Sequence, residues 1–479
     1  MLANHYHEAL SLAEAAGLDT STLRGPARKA FAEGAQRALS LGAGAAAHTL
    51  ALEALDLAAL DDPHRPQLQL LAAYAGRLAG TDDAPDLLQP AIAAFEERGD
   101  PGRAAEAAVL LGSDYFYRGE VAAVREVRDK ALDLAQSAPA SPAVARAVAS
   151  AARSLLVLDR DFERALELAR AAFSLADEAG DDETAAVALN TIGMTRVLLG
   201  DADGIDELEE SVERAARGGS VFHLHSALNN LANSLWQVGR LAEGSARIHE
   251  ARALCERYGF VSALAWNDAE LVYDAFYRGD LAGVVDLAKR FFDERAGSLG
   301  YQERGVRATR AQALLARGQL DEAVADAELA LSQARGAGAD AQTAAHTVGA
   351  ATIALRAAGR TAEAEELLGE ILTGWIGEEV ANLPLHLAEL GRGEEFSRAL
   401  KERRGHAWLE AGRAAARGDL VHASEIYGRI GARYQEAWAA LLAAERGDTS
   451  RLDEALAYFE EQGATPYVQR CRALMQSSA

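Results

Sequence analysis

Several residue types in this sequence can do chemistry, and their spacing decides whether they do. Adjacent carboxylates occur at 96–97, 209–210 and 365–366, and paired carboxylates can serve as general acid and base. Here they fall in segments of helical periodicity, on faces expected to meet solvent. His5 and His7, like His223 and His225, are two residues apart, a spacing that points helical side chains in divergent directions. We therefore expect neither a carboxylate pair nor a metal ion in a catalytic site.

Other signatures of catalysis are also missing from the sequence. The chain has no G-x-S-x-G motif, and no Gly-Lys dipeptide that a phosphate-binding P-loop would need. The two cysteines, Cys255 and Cys471, have neither the spacing of metal ligands nor a motif partner. The sequence predicts a protein that is not an enzyme and that uses no cofactor.

The charge of the chain narrows the classes of partner. Its 48 basic and 72 acidic residues give a formal net charge of −24 and a pI near 4.9. Because a polyanion is repelled by phosphate backbones and anionic lipid, we expect no nucleic-acid partner and no membrane partner. Two unpaired cysteines fit a reducing compartment, and the polar N-terminus has no signal-peptide pattern. A soluble, cytoplasmic protein is expected.

One stretch recurs and reveals how the chain is organised. DYFYRGEVAAV at 114–124 returns as DAFYRGDLAGV at 274–284, an offset of 160 residues. The glycine of this stretch has counterparts about every 40 residues, so the offset of 160 is four periods. We call these residues anchors. They occur in steps of 38 to 41, and all but one are glycine: Gly42, Gly80, Gly119, Arg160, Gly200, Gly239, Gly279, Gly318 and Gly359. Gly391, Gly418 and Gly447 continue the series at shorter steps of 32, 27 and 29. A period near 40 is typical of helical solenoids.

Each period has the same internal pattern. A run with helical spacing ends at the anchor glycine, which can adopt a left-handed conformation, and a second helical run follows. Asp or Glu directly follows several anchors, where it could cap the second helix, as at Glu120, Asp201, Asp280 and Asp419. Small residues recur seven positions before and five after the anchor, which lets paired helices approach closely. The fifth unit departs by one residue at Ile205, and Pro384 predicts a helix start in a compressed tenth unit.

These units resemble the tetratricopeptide repeat. The resemblance is close at 318–330, GQLDEAVADAELA, and at 418–427, GDLVHASEIY. It implies an all-α, right-handed superhelical solenoid of helical hairpins, with about twelve repeats. We predict an N-terminal capping helix at 1–24, long-period repeats at 25–376, shorter-period repeats at 377–464, and a C-terminal capping helix and tail at 465–479.

The two ends of the repeat array resemble those of a narrower group of repeat proteins. The opening ANHYHEALSLAEAAGLDTSTL and the closing RLDEALAYFEEQGATPYVQRCRALM look like the limits of the repeat region in bacterial STAND-type AAA ATPase signalling proteins, linked to class III nucleotide cyclases or to LuxR/MalT-type helix-turn-helix outputs. The resemblance implies a regulatory arm that binds a protein, peptide or small effector. Since the ATPase loop is absent, the expectation is either the regulatory half of such a protein or a stand-alone relative.

In tetratricopeptide proteins the first helix of each unit lines a concave face. The resemblance implies exposed positions 13, 10, 6, 3 and 2 residues before the anchor, and amides and aromatics concentrate there in units five to seven. The candidate partner-binding residues are Asn190, Met194, Asn229, Asn233, Trp236, Gln237, Trp266, Tyr273, Phe276 and Tyr277, with Phe116 and Tyr117 as secondary candidates. Amides can pair with a peptide backbone and aromatics supply contact area. The alternative is that the aromatics pack against neighbouring helices and the amides satisfy that packing.

Arginines at 304, 307 and 310 form a second unusual feature on the eighth first helix. Arg307 and Arg310 are secondary binding candidates for an acidic partner or a phosphate. The alternative is that the arginines pair with carboxylates of the adjacent helix, such as Asp268 and Glu270.

The sequence therefore supports two functional hypotheses. The first is a non-catalytic sensor domain that recognises a protein, peptide or small effector on its concave face and regulates a signalling ATPase or its output. The second is a stand-alone cytoplasmic scaffold that bridges protein partners.

Overall fold

The computed structural model describes residues 2–294, 302–336, 341–374, 382–400 and 406–478. Within these ranges the chain forms α-helices and no strand. In chain order, the helices of the first half are α1 Leu2–Ala15, α2 Ser21–Ser40, α3 Gly44–Asp56, α4 Arg65–Ala79, α5 Ala84–Glu97, α6 Pro101–Arg118, α7 Val121–Ser137, α8 Pro142–Ser154, α9 Phe162–Ala179, α10 Asp182–Leu198, α11 Gly204–Gly218, α12 Val221–Gln237 and α13 Leu241–Tyr258. Those of the second half are α14 Val261–Arg278, α15 Leu281–Glu294, α16 Glu303–Ala316, α17 Leu320–Gly336, α18 Ala341–Ala357, α19 Thr361–Gly374, α20 Leu383–Glu389, α21 Gly393–Ala399, α22 Ala407–Ala416, α23 Leu420–Ile430, α24 Arg433–Glu445, α25 Leu452–Glu461 and α26 Thr465–Ser478.

The twelve predicted anchors each lie in the turn between two helices. The first, Gly42, joins α2 to α3, and the twelfth, Gly447, joins α24 to α25, so that α2 to α25 form twelve hairpins between α1 and α26. We number these hairpins units 1 to 12. Consecutive first helices pack together, as α6 does with α8 and α8 with α10. The predicted all-α helical-hairpin solenoid is confirmed.

The turn at each anchor requires a left-handed backbone. All eleven anchor glycines have a positive φ, and Arg160, which stands at the anchor of unit 4, has a φ of 50°. Arg160 is the only non-glycine residue with a positive φ among the described residues. A short π-helical turn, Leu155–Asp159, precedes it and extends α8. Unit 4 therefore keeps the corner geometry of the other units, although it lacks the glycine.

Small residues hold the two helices of a unit close together, as the spacing predicted. In unit 5, a Cβ added to Gly193 would lie 2.6 Å from the backbone oxygen of Gly204, so the two helices touch through their backbones. Gly204 lies four residues after the anchor Gly200, in place of the usual fifth position. The one-residue slip at Ile205 is thereby confirmed, and Ile205 itself is buried.

The acidic residues after the anchors cap helices in only some units. Asp280 Oδ1 accepts from the backbone N–H of Gly283 at 2.8 Å, and Asp419 Oδ1 accepts from that of His422 at 3.4 Å. Glu120 makes no such bond to its helix. Asp201 does not cap α11, because the slip delays the start of that helix to Gly204. The capping prediction is right for Asp280 and Asp419 and wrong for the other two.

The last units are compact because their helices are short. Both helices of unit 10, α20 and α21, have seven residues, and Pro384 is the second residue of α20. This position suits proline because the first turn of a helix needs no backbone donor there. The predicted helix start is confirmed, whereas the predicted boundary between long and short repeats, at 376/377, lies outside the described residues.

Units that are five apart in the chain contact each other. Trp408 Nε1 of unit 11 donates to the backbone oxygen of Trp236 in unit 6 at 2.8 Å, and Tyr458 Oη of unit 12 donates to that of Gly279 in unit 7 at 2.5 Å. Likewise α4 of unit 2 contacts α14 of unit 7. One superhelical turn thus spans about five units, and successive turns pack on each other. The largest hydrophobic core accordingly combines residues of units 6 to 8 with the C-terminal helices.

No helix in the described ranges is both long enough and apolar enough to cross a membrane.

Candidate functional site

Three of the predicted amides of units 5 and 6 form hydrogen bonds with other asparagines of the solenoid. Asn190 and Asn229 are buried, and Asn230 Nδ2 donates to Asn190 Oδ1 at 2.6 Å. Asn267 Nδ2 donates to Asn229 Oδ1 at 3.3 Å. Asn233 is partly buried, and its Nδ2 donates to the backbone oxygen of Asn229 at 3.0 Å. Asn190 and Asn229 accept from asparagines of neighbouring first helices, as the packing alternative expects, although Asn190 Nδ2 is buried with no partner in the described structure. Their role in binding a partner stays a prediction.

The amides belong to a buried polar chain formed by His225, Asn267, Asn229, Glu270 and Trp266. His225 Nε2 lies 3.0 Å from Asn267 Oδ1, and Glu270 Oε1 accepts from Trp266 Nε1 at 2.9 Å and from Asn229 Nδ2 at 3.4 Å. Burial raises the pKa of Glu270 to about 7, against the lowering effect of these donors. Burial likewise lowers the pKa of His225 to about 4. Glu270 therefore titrates near neutral pH, while His225 is neutral there.

The aromatics that were expected to be exposed in units 6 and 7 are largely covered by the C-terminal units. Trp236 is 1% exposed and Phe276 is 3% exposed. The ring of Tyr277, which is partly buried, lies 5.6 Å from that of Trp236 and 5.8 Å from that of Trp408. The expectation that Trp236 and Phe276 face an open groove is wrong, because the turn formed by units 11 and 12 packs onto them.

The remaining candidates of units 5 to 7 occupy intermediate environments. Tyr273 is partly buried, and its hydroxyl donates to Gln302 Oε1 at 3.3 Å. Met194 packs against the small core around Leu208, whereas Gln237 is partly exposed at the end of α12. Their role in binding a partner stays a prediction.

Arg307 and Arg310 are paired within the solenoid. Arg307 Nη1 donates to Asp326 Oδ1 at 3.1 Å, and Arg310 Nε donates to Asp326 Oδ2 at 2.5 Å. Both guanidinium groups also lie over the ring of Phe292, at 4.5 and 4.6 Å from its centroid. The pairing with carboxylates is as the structural alternative expects, but the acceptor on α17 replaces the predicted Asp268 and Glu270. The reason is that α17 packs against α16 within unit 8.

A partly enclosed cavity of about 130 Å³ lies between the first helices of units 2 to 5, the first half of α7 and the start of α12 in unit 6. Residues from all five units contribute to its wall, among them Tyr74, Arg77, Ser113, Phe116, Tyr117, Arg146, Ser150, Arg153, Thr184, Phe222 and His223. We call this space the inner cavity. Phe116 and Tyr117, the secondary candidates of the FYRG stretch, thus lie in the wall of a real cavity.

Trp266 of unit 7 connects the inner cavity to the buried polar chain. Its ring lies 5.9 Å from that of Phe116 and 5.8 Å from that of Tyr117, in contacts that join unit 3 to unit 7. Its Nε1 donates to Glu270 on the other side. A ligand that displaced Phe116 or Tyr117 would therefore alter their contacts with Trp266 in unit 7.

The inner cavity is cationic within an acidic protein. Four arginines and no carboxylate line it among the described residues, namely Arg77, Arg128, Arg146 and Arg153. Two of them have carboxylate partners: Arg146 Nε donates to Glu106 Oε1 at 2.8 Å, and Arg128 Nε donates to Asp129 Oδ1 at 2.9 Å. The positive charges of Arg146 and Arg128 are therefore neutralised by neighbouring carboxylates.

Arg153 differs from the paired arginines. No acceptor within the described ranges takes a hydrogen bond from its guanidinium, and no carboxylate forms an ion pair with it. Burial lowers its pKa, and Tyr117 is the neighbour that opposes this effect. Arg77 lies over the ring of Phe222, 4.4 Å from the centroid, and burial and the nearby charge of Arg153 both lower its pKa. The oxygen Oγ of the neighbouring Ser154 is buried without a partner in the described structure.

The π-helical turn Leu155–Asp159 places Arg153 in the inner cavity. It adds one residue ahead of the corner at Arg160, so the small buried residue of unit 4 is Ala152, eight residues before the anchor. Arg153 consequently occupies the place that Ser113 has in unit 3, six residues before its anchor, and both line the cavity. Single π-helical turns of this kind are frequent at functional sites.

The arginines of the inner cavity were not among the residues predicted from the sequence. A signal was nevertheless present, since the step from Gly119 to Arg160 is 41 residues, and an arginine stands seven before the anchor where other units have small residues. Phe222 and His223 give no such signal, because they reach the cavity from unit 6 through the packing of successive turns.

Comparison with known proteins supports the fold. No family profile matches the sequence, and no curated protein sequence matches it. Among solved structures, the chain is similar to a Rap protein complexed with competence and sporulation factor, with a TM-score of 0.52 and 12% identity over 72% of this chain and 97% of that one. A Rap conjugation gene regulator of the plasmid pLS20, in complex with a peptide, gives 0.43 and 12% over 68% and 96%. A human IFIT1 dimer with m7Gppp-AAAA gives 0.43 and 16% over 87% and 93%.

The class of protein follows from the fold and the likeness to the first of these Rap proteins. The chain is a tetratricopeptide-like helical solenoid, built of twelve hairpins whose successive turns pack together. At such low sequence identity, the likeness to Rap establishes the fold, and function has to be argued from the site.

Proposed function

We propose that this chain is a non-catalytic sensor and interaction domain that takes up an effector in the inner cavity. One observation supports this above the others: the wall of the cavity combines units 2 to 5 with the start of unit 6, so an occupant would contact both ends of one superhelical turn. Cavities lined by aromatic side chains and a few convergent polar groups are the usual form of a ligand site.

A conformational response follows from this placement. A ligand that contacts both ends of the turn has more contacts when the ends are close together than when they are apart, so it stabilises the closed arrangement. The ring contacts of Trp266 with Phe116 and Tyr117 lie next to the cavity and join unit 3 to unit 7. Effector binding would thus tighten the array and change the surface presented to a protein partner.

The output of the sensor is proposed from the resemblance of the chain ends. The similarity to repeat regions of STAND-type signalling proteins favours a cytoplasmic regulatory domain that restrains an ATPase or its output until the effector binds. The alternative remains a stand-alone scaffold that bridges protein partners. The two differ in whether the natural gene encodes a nucleotide-binding loop, G-x-x-x-x-G-K-[ST], upstream of residue 1, which sequencing the locus would decide.

The experiment is a thermal-shift and native mass spectrometry comparison with fractionated small molecules and peptides from bacterial cytoplasm. Ser150→Leu places a larger side chain into the cavity, whereas Ser137→Leu, at the exposed end of α7, is the matched control. A ligand that occupies the cavity should raise the melting temperature of the wild type and of Ser137→Leu but not that of Ser150→Leu. Equal stabilisation of all three proteins, or stabilisation of none, would contradict the proposed function.

A further inference from the structure

We propose that the inner cavity selects a small organic anion, with its carboxylate or phosphate bound by Arg153 and its apolar body against Phe116 and Tyr117. This inference rests on the proposed function, since it names the chemistry of the ligand at the same site. It goes further in assigning the head group, the residue that binds it and the size of the ligand.

The charge balance of the cavity points to an anion. Its wall has four arginines and no carboxylate among the described residues, on a chain whose net charge is −24. Arg128 and Arg146 are neutralised by acidic neighbours, but Arg153 has no such partner. Arg153 is partly buried and has no carboxylate partner, and a bound carboxylate or phosphate would supply the missing charge and two acceptor oxygens in the fork geometry that arginine favours.

Neighbouring donors would complete the anion site. The side chains of Ser150 and Ser154 lie on the same helical segment as Arg153 and line the cavity, and Ser154 Oγ is buried with no hydrogen-bond partner in the described structure. Arg77 lies close enough to Arg153 for the two positive charges to interact. Both charges therefore contribute to a positive electrostatic potential at this end of the cavity. An anion bound here would interact with the positive charge of the arginines and accept hydrogen bonds from the serine hydroxyls.

The rest of the wall sets the size and polarity of the body. Phe116, Tyr117, Val109 and Val157 line the cavity, which therefore offers an aromatic and aliphatic surface to the part of the ligand away from Arg153. Its volume of about 130 Å³ is close to that of an engineered cavity, roughly 150 Å³, that holds benzene. A single ring or a short alkyl chain attached to the anionic group fits this space.

The test uses isothermal titration calorimetry of the full chain with matched probes. Benzoate and phenyl phosphate present the two anionic heads, benzamide is the neutral counterpart, and acetyl-phenylalanine with a free or an amidated C-terminus represents the end of a peptide. We expect the anions to bind at least about tenfold more tightly than benzamide, because charge-assisted hydrogen bonds are the stronger class. Preference for the acetyl-phenylalanine acid over benzoate would identify a peptide end as the source of the carboxylate.

Variants separate the anion site from the cavity itself. Arg153→Gln should weaken the binding of the anions about tenfold or more while leaving that of benzamide unchanged. Arg170→Gln, on the exposed face of α9, removes the same charge away from the cavity and should change neither. Equal binding of benzoate and benzamide, blocked by Ser150→Leu, would overturn the anion proposal and leave the proposed function standing. Binding of no probe, or anion binding unaffected by Arg153→Gln, would also overturn it.

Discussion

Glu270 gives the sharpest test of how burial affects the charge in the polar chain. Its side chain is 4% exposed, accepts from Trp266 and Asn229, and has one oxygen, Oε2, with no partner among the described residues. Replacing it by glutamine keeps the shape and the acceptor oxygen but removes the charge. Near neutral pH that charge is the unfavourable feature of the site.

The magnitude follows from the pKa of Glu270, which burial raises from 4.5 to about 7. Because the folded-state pKa is the higher one, stability is highest below pH 4.5 and is lost as the pH rises through 7. At 1.36 kcal/mol for each pKa unit, the charged form costs about 3 kcal/mol at pH 8.5 and about 1 kcal/mol at pH 5. Glu270→Gln should therefore gain stability relative to wild type by about 2 kcal/mol between these pH values.

The assay is urea denaturation of wild type and Glu270→Gln at pH 5 and pH 8.5, followed by tryptophan fluorescence. Burial also lowers the pKa of His225 to about 4, which gives a pH dependence of its own, but His225 is present in both proteins, so its effect cancels in the difference. Glu167→Gln, on the exposed surface of α9, controls for the loss of a negative charge. A difference between wild type and Glu270→Gln that is the same at both pH values would refute the assigned role of burial.

Two further predictions concern the corners and the caps of the units. Gly279→Ala should destabilise the protein by about 3 kcal/mol and increase hydrogen exchange in the C-terminal units, because the new Cβ would lie 2.6 Å from Tyr434 N. Gly259→Ala, at a similar positive φ with no atom within 4 Å, should cost only about 1 kcal/mol, and equal costs would contradict the packing of successive turns. Asp419→Ala should lower stability by about 1 kcal/mol through loss of its cap, and Glu120→Ala, which removes no cap bond, should have little effect in the same denaturation assay.

The sequence by itself determined the repeating architecture. Helical periodicity, the anchor glycines and the small residues around them are local features, and each reports the geometry of one hairpin. The positive φ at every anchor glycine and the short helices of unit 10 were predictable for this reason. Even the departure at Arg160 was visible as a missing glycine, although the extra π-helical residue before it was not recognised.

Only the tertiary structure decided which surfaces are available. The resemblance placed Trp236 and Phe276 on an exposed face, but both are buried, and Trp408 of unit 11 donates to the backbone of Trp236. Such contacts join residues that are more than 150 positions apart in the chain, as Trp408 and Trp236 are, and they depend on the number of units in each superhelical turn. That number results from small rotations between neighbouring units, which accumulate along the array and leave no pattern at the period of the repeat. The same accumulation brings Phe222 of unit 6 against Arg77 of unit 2 and so completes the inner cavity.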